Sequence, residues 1–391
     1  MGMSSGDDGT VESGDGCGFG GSGLGEGIVF EVCGGKAWEI LGEGMGAART
    51  ILILPGFQTL ISEKQQLLMA ALRNSFSMTI LVILVLCCLT THANARVPSE
   101  KLNWKRLIIV DQSGKGNYTK IQDAIDAVPS NNVDSILIRV EPGIYEEKVL
   151  VPLDKPFIIL SGRIAGTTII SWADSGDIWD SPTLTVLASD FVGRYLTIQG
   201  FQNTYGEGAK AVALRVTSDR AEFTACRITS YQDTLLDERG RHFYNNCYIE
   251  GGTDFIFGNA ESLFQNCHIH SISKRNGAIT AQKRETTEEE TGFYFMGGRV
   301  TGIESCTLGR PWGPYSRVVF MNTYMGNAVN PEGWDDWGKP FTHNSVYYGE
   351  YKCYGPGANR SNRVQWSLNL TDQQVSGFYK YLRSPTSWLK R

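Results

Sequence analysis

FTACRITSYQDTLLDERGRHFYNNCYIEGGTDFIFG, residues 223–258, writes one pattern twice. An aromatic residue opens each copy, with Cys three and Ile five residues later: Phe223, Cys226, Ile228, then Tyr244, Cys247, Ile249. Ten residues after each aromatic stands an aspartate, Asp233 and Asp254. The copies are 21 residues apart, and a third, Phe264, Cys267 and Ile269, follows 20 residues later. Looser echoes begin at Phe295 (FMGGRV) and Phe320 (FMNTYM).

A β-rich period near 20 residues predicts a solenoid, because one such unit cannot bury its apolar face alone and stacked units share a continuous core. The expected fold is all-β, a right-handed parallel β-helix in which residues of equal phase lie on neighbouring strands, roughly 4.8 Å apart. Asp233 and Asp254 share a phase, so the repeat predicts two adjacent carboxylates. Such a pair cannot ionise twice cheaply, and one pKa should rise. That suits an acid working beside a nucleophile or base. Two turn-forming aspartates would leave the same trace in the sequence, and spacing alone does not separate the readings.

The flanking residues do. YQDTL (Tyr231 to Leu235), GTDFIFGNA (Gly252 to Ala260) and LGRPW (Leu308 to Trp312) together resemble the plant and bacterial pectin methylesterases. GIYEEKV (Gly143 to Val149) carries that family's G-x-Y-x-E segment, and AVALR (Ala211 to Arg215) another. The resemblance runs from about Val110 to Glu350, with its five motifs in the family order. It implies hydrolysis of the C6 methyl esters of galacturonate in pectin, giving methanol and a carboxylate, with no metal or organic cofactor. It further implies that Asp254 is the nucleophile and that Asp233 is the general acid and then the base. Gln232 would donate to the oxyanion, Arg310 would hold the nucleophile ionised, and Phe257 and Trp312 would line the sugar cleft. Tyr231 is expected to support the site from behind, and Phe255 to be core. One position departs from the pattern: where the family begins Q-A-V-A-L-R, this chain has Lys210. An ammonium can also donate to an oxyanion, but its charge would lower both carboxylate pKa values.

Two rivals remain at this stage. One is a non-catalytic pectin-binding β-helix in which Lys210 marks lost activity. The other is a different enzyme of the same polymer, since carboxylates about 5 Å apart also suit a retaining glycosidase.

The chain around this core is uneven. Sixteen of its 45 glycines fall in residues 1–46, a composition unable to offset chain entropy by burial. Residues 1–68 are expected to be a disordered Gly-rich extension, or a mis-assigned start. ILVILVLCCL (Ile80 to Leu89) is ten apolar residues, short of the roughly 20 of a membrane span. With Arg73 before it and Ala93-Asn94-Ala95 after it, residues 69–95 read as a secretory signal peptide. Residues 96–391 would then be the catalytic domain, secreted to the cell wall and monomeric, with pectin as substrate. The resemblance also admits a proteinaceous pectinesterase inhibitor as a partner.

Residues 1–95 hold nine of the 41 acids and four of the 36 bases, which leaves 32 of each beyond them. A neutral domain has no general field for a polyanion, so nucleic acid is not an expected partner and attraction to acidic polysaccharide must be local. Five cysteines follow residue 95. Three share a phase as small buried hydrophobes, and the odd number leaves at least one thiol free. None has zinc-ligand spacing. Asn117, Asn359 and Asn369 open N-x-S/T acceptor sequences for glycosylation. Ile121, Ala124, Ile125 and Val128 recur at helical spacing up to Pro129 and predict a short helix capping the N-terminal end of the solenoid. TDQQVSGFYKYL predicts a C-terminal helix.

Overall fold

The computed structural model describes residues 103–200 and 210–383, together with a separate two-strand ladder, Val32–Cys33 against Lys36–Ala37. Apart from that ladder, the Gly-rich extension and the signal peptide expected from the sequence lie outside the described residues. From Arg106 onward the strands form three parallel sheets of eleven, eight and seven strands. Successive coils add one strand to each sheet in turn, and such parallel crossovers are right-handed in nearly all proteins. The right-handed parallel β-helix expected from the 20-residue period is the fold observed.

The register turns the sequence repeat into vertical columns. Phe223 pairs with Tyr244, Tyr244 with Phe264, Phe264 with Phe295, and Phe295 with Phe320. Their rings stack with centroids 5.4, 4.7, 4.6 and 4.3 Å apart. Beside them runs a column of Ile170, Ile198, Ile228, Ile249, Ile269 and Val300. The cysteine phase forms a third column. The thiols of Cys226, Cys247 and Cys267 point at carbonyls of the preceding coil, those of Gly193, Phe223 and Tyr244, at 3.3–3.5 Å. The five cysteines of the coil are all free thiols, and burial pushes the Cys226 and Cys247 thiols well above their ordinary pKa.

Each cysteine of this column follows a left-handed residue at the corner between the eleven- and eight-stranded sheets. Ala225, Asn246, Asn266 and Lys352 have φ of 53°, 52°, 54° and 47°. Asparagine tolerates this conformation because its short amide can bond locally. Tyr244, the tyrosine of the aromatic column, donates its hydroxyl to fully buried Asp237 at 2.7 Å. Ser262 donates to the same carboxylate. His242 places Nδ1 2.6 Å from Asp237 Oδ1 and Nε2 2.7 Å from the Ser218 carbonyl. Both neighbours are acceptors, which suits a doubly protonated ring. Burial opposes that charge, but Asp237, the Ser218 carbonyl and Asp219 together outweigh it and the His242 pKa is raised.

The two ends are closed differently. Helix Ile121–Asp126 buries Ile121, Ala124 and Ile125 over the first coil. Glu147 accepts from the Ile121 and Gln122 N–H groups at 2.9 and 3.1 Å, which satisfies the helix N-terminus. Lys155 Nζ donates to the Ile125 and Asp126 carbonyls at the other end. The G-x-Y-x-E segment is therefore structural: Tyr145 is core and Glu147 caps the helix. At the far end the aromatic column meets Glu350, paired with Phe320. Arg363 grips Glu350 through Nε and Nη2 at 3.0 and 3.1 Å, and Arg360 adds a 2.5 Å contact. Helix Asp372–Arg383 covers the outer face of the eleven-stranded sheet, where Phe378 lies 5.4 Å from Tyr294 and 5.7 Å from Tyr347. Among the described residues no helix is long and apolar enough to cross a membrane.

The column makes a direct prediction. Phe264 stacks on rings above and below and is 1% exposed, so Phe264→Ala opens a cavity that rigid strands cannot close. The expected loss is about 3–5 kcal/mol, to be read as a lowered midpoint in urea unfolding with unchanged slope.

Candidate active site

Asp233 and Asp254 sit at the corner between the eight- and seven-stranded sheets, each following one short strand and preceding the next. Gln232 bridges Thr253, and Leu235 pairs with Ile256, so the two aspartates are in register on adjacent coils. Both have left-handed backbones, φ 61° and 48°. The Asp233 N–H donates to the Thr253 carbonyl at 3.2 Å, and the Asp254 N–H to that of Ala278 at 2.7 Å. They are thus turn aspartates and an adjacent carboxylate pair at once; the two sequence readings are not exclusive. Gly252 makes the corner possible, because a Cβ there would come within 2.7 Å of the Tyr231 ring. Tyr231 accordingly packs behind the site.

The pair opens into a cleft of about 200 Å³ that is also lined by Lys210, Gln232, Phe257, Arg310, Trp312 and Trp337. All seven site residues expected from the sequence line this one cleft. Arg310 lies on the outward row of the seven-stranded sheet, in register after Phe257 and Ala281. Its Nε and Nη2 donate to the two oxygens of Asp254 at 2.8 and 2.6 Å. Phe257 is only 3% exposed and forms floor rather than wall. Trp312 stands over it with ring centroids 5.9 Å apart, and Lys283 Nζ lies 4.7 Å from the Trp312 ring.

Burial pushes the Asp233 pKa up to about 7, and the Asp254 charge adds to the rise. Burial lifts Asp254 too, but there the Arg310 fork works against it. Lys210 opposes the rise on both. The two carboxyls therefore differ in kind. Asp233 is set to hold a proton, and Asp254, tied by two charge-assisted hydrogen bonds, is set to stay ionised and aligned. Among the described residues no group of three His, Cys, Asp or Glu side chains is arranged to hold a metal ion.

Sequence reasoning missed Trp337 and Ile178. The Arg310 guanidinium carbon lies 3.9 Å from the Trp337 ring centre, sandwiching the arginine between ring and carboxylate. Trp337 itself adopts φ 56°, an outlier for so bulky a residue. The turn is held by Asp335, which accepts the Trp337 N–H at 2.5 Å, and by Asp336, which accepts that of Gly338 at 2.9 Å. The only hint in the sequence is the pair of tryptophans in WDDW: Trp334 enters the core and Trp337, three residues on, faces the cleft. Ile178 carries no signal at all.

The raised Asp233 pKa has a thermodynamic consequence. Unfolded, this carboxyl loses its proton near 3.8; folded, at about 7. Across that window folding takes up a proton, so the contribution is fully present below the lower value and lost as pH rises through the upper one. Asp233→Asn removes the slope. Its Tm should exceed that of the wild type at pH 7 by several degrees and by much less at pH 4, since about 1 kcal/mol moves Tm by roughly 2–4 °C in a domain of this size. Thermal unfolding at the two pH values checks this.

A family model described as Pectinesterase matches residues 107–381. The chain is 56% identical over 274 residues to putative pectinesterase 11 of Arabidopsis thaliana, covering 70% of this chain and 77% of that one. It is 43% identical over 308 residues to probable pectinesterase 67 of the same plant, covering 76% and 90%. Among solved structures, a pectin methylesterase from carrot superposes with a TM-score of 0.68 at 32% identity, over 73% of this chain and 98% of that one. A pectin methylesterase in complex with a hexasaccharide superposes with a TM-score of 0.59 at 26% identity, over 71% and 96%. With its motifs, its coil and its paired aspartates in one register, this chain belongs to the pectinesterase family.

Proposed function

We propose that Asp254 and Asp233 divide the chemistry of ester hydrolysis in this cleft, with Arg310, Gln232 and Lys210 stabilising charge around them. The chain is a carboxylic ester hydrolase of the pectin methylesterase type. The observation that carries the division of labour is the asymmetry of the pair: one carboxyl is raised to about 7 and the other gripped by an arginine fork.

In the first half-reaction an Asp254 oxygen attacks the C6 carbonyl carbon, and the carbonyl electrons move onto oxygen. Gln232 and Lys210, which line the same cleft, donate to that oxyanion in this reading; one such donor is typically worth about 2.7–4 kcal/mol of barrier. The intermediate collapses with cleavage of the C6–methoxy bond. The Asp233 proton passes to the departing oxygen, so methanol leaves neutral and an acyl anhydride with Asp254 remains. In the second half, Asp233, now ionised, takes a proton from water as the hydroxide adds to C6. Collapse expels the Asp254 carboxylate and returns both groups to their starting states. Trp312, over the floor made by Phe257, offers a ring face to the sugar.

The non-catalytic alternative has no support in this site, whose acid, nucleophile candidate and arginine are all present and oriented. Secretion to the cell wall, a monomeric state and a protein inhibitor remain parts of the proposal. The acceptor asparagines Asn117, Asn359 and Asn369 are all exposed, which favours the secreted reading. Methanol release from methylated pectin without shortening of the polymer is the test, and it separates esterase from glycosidase or lyase. Asp254→Asn should abolish release and Asp233→Asn should reduce it by at least 100-fold with the fold intact. An active Asp254→Asn protein would remove the mechanism.

Lys210→Ala should lower kcat more than it raises KM, because the contact strengthens in the transition state. Lys210→Gln should retain activity and move the acidic limb of the pH–rate profile to higher pH, since the positive charge that opposes both raised carboxyl pKa values is gone.

A further inference from the structure

The eight-stranded sheet carries a second furrow along its other edge, next to the corner with the eleven-stranded sheet. Arg227, Tyr248, His268, Arg299 and Tyr324 are the first residues of successive strands. The register stacks them in one outward column that Tyr354 continues. They border a groove of about 820 Å³, while the aspartate pair lies at the opposite ends of the same strands. Six rungs at the strand spacing of about 4.8 Å extend roughly 24 Å, and the two arginines stand roughly 14 Å apart.

The column is organised for a charged partner. The Arg227 guanidinium lies 4.3 Å from the Tyr248 ring centre. Arg299 Nη2 donates to His268 Nδ1 at 3.0 Å. His268 Nε2–H then donates to Thr301 Oγ1 at 2.8 Å, and the Thr301 hydroxyl to His270 Nδ1 at 2.7 Å. His268 is thereby a neutral spacer, its pKa lowered to about 4 by burial and by Arg299. Both arginines are exposed, and among the described residues neither makes an ion pair with a carboxylate. Glu250, which shares this face, is engaged by the Tyr248 hydroxyl. Tyr324 and Tyr354 meet edge to face at 5.6 Å at the far end.

We propose that this groove docks the de-esterified galacturonate chain, the polyanionic product, at a site separate from the ester-cleaving cleft. Guanidinium groups recognise planar carboxylates through paired hydrogen bonds, and aromatic faces accept the apolar side of a sugar ring. A methyl ester masks the carboxylate, so the groove favours processed over unprocessed polymer. Docking there holds the enzyme on stretches it has already de-esterified. In a domain with balanced charge this is the local attraction that net charge does not supply. The identity of the polymer rests on the esterase reading; the groove does not.

The test compares the full chain with its Arg227→Gln/Arg299→Gln variant on immobilised, fully de-esterified polygalacturonate. The variant should lose at least ten-fold in affinity, with unchanged Tm and unchanged methanol release from a methylated trigalacturonide too short to reach both sites. Tyr324→Ala, which keeps both charges, should weaken retention less. Unchanged retention in the double variant overturns the proposal. So does an equal loss of binding to polyuridylate, which would show a general polyanion patch. A wild-type protein that binds polygalacturonate but releases no methanol would refute the esterase reading and leave the groove standing.

Discussion

Parallel stacking in strict register is the constraint on which the rest of this molecule depends. Each coil hands its backbone hydrogen bonds to the next, so a residue's neighbours are set by its phase in the repeat. A single-residue slip would turn every core side chain outward, and the columns of aromatic, isoleucine and cysteine side chains hold the phase. Five rings at 4.3–5.4 Å from one to the next leave no room for an inserted residue. The corners are equally restricted, since they require left-handed backbone at the residue before the cysteine column and at the two aspartates.

This rigidity is what makes the acid pair chemically useful. Two carboxyls on adjacent coils cannot relax apart, and burial, with the Asp254 charge added to it, raises the pKa of Asp233. Arg310 arrives from the neighbouring sheet by the same register and breaks the symmetry by binding Asp254 alone. Trp337 closes over that arginine from a loop held by Asp335 and Asp336. The asymmetry of the pair is thus set by position in the coil.

Buried charge recurs away from the cleft in partnered clusters. Glu350 ends the aromatic column inside a fork of two arginines. Asp237 collects Tyr244, Ser262 and His242. Removing one partner from such a group costs more than the pair contributes, because the remaining charge is left buried. These clusters interrupt an otherwise apolar column at defined heights and so distinguish one coil from the next.

The repeat, read as a sequence, was sufficient for the fold and for the adjacency of Asp233 and Asp254, and helical spacing was sufficient for the capping helix, because each of these follows from local periodicity. The motifs around the pair also named Arg310, Gln232, Phe257 and Trp312. Tertiary structure alone decided the asymmetry of the two carboxyls, since burial and the Arg310 fork depend on coils 56 residues apart. It decided too that Glu147 caps a helix, that Phe257 is floor, and that Trp337 covers the arginine. The basic and aromatic column from Arg227 to Tyr354 was equally hidden. Its members are scattered over more than a hundred residues, their types follow no regular order, and the winding of the coil brings them into line.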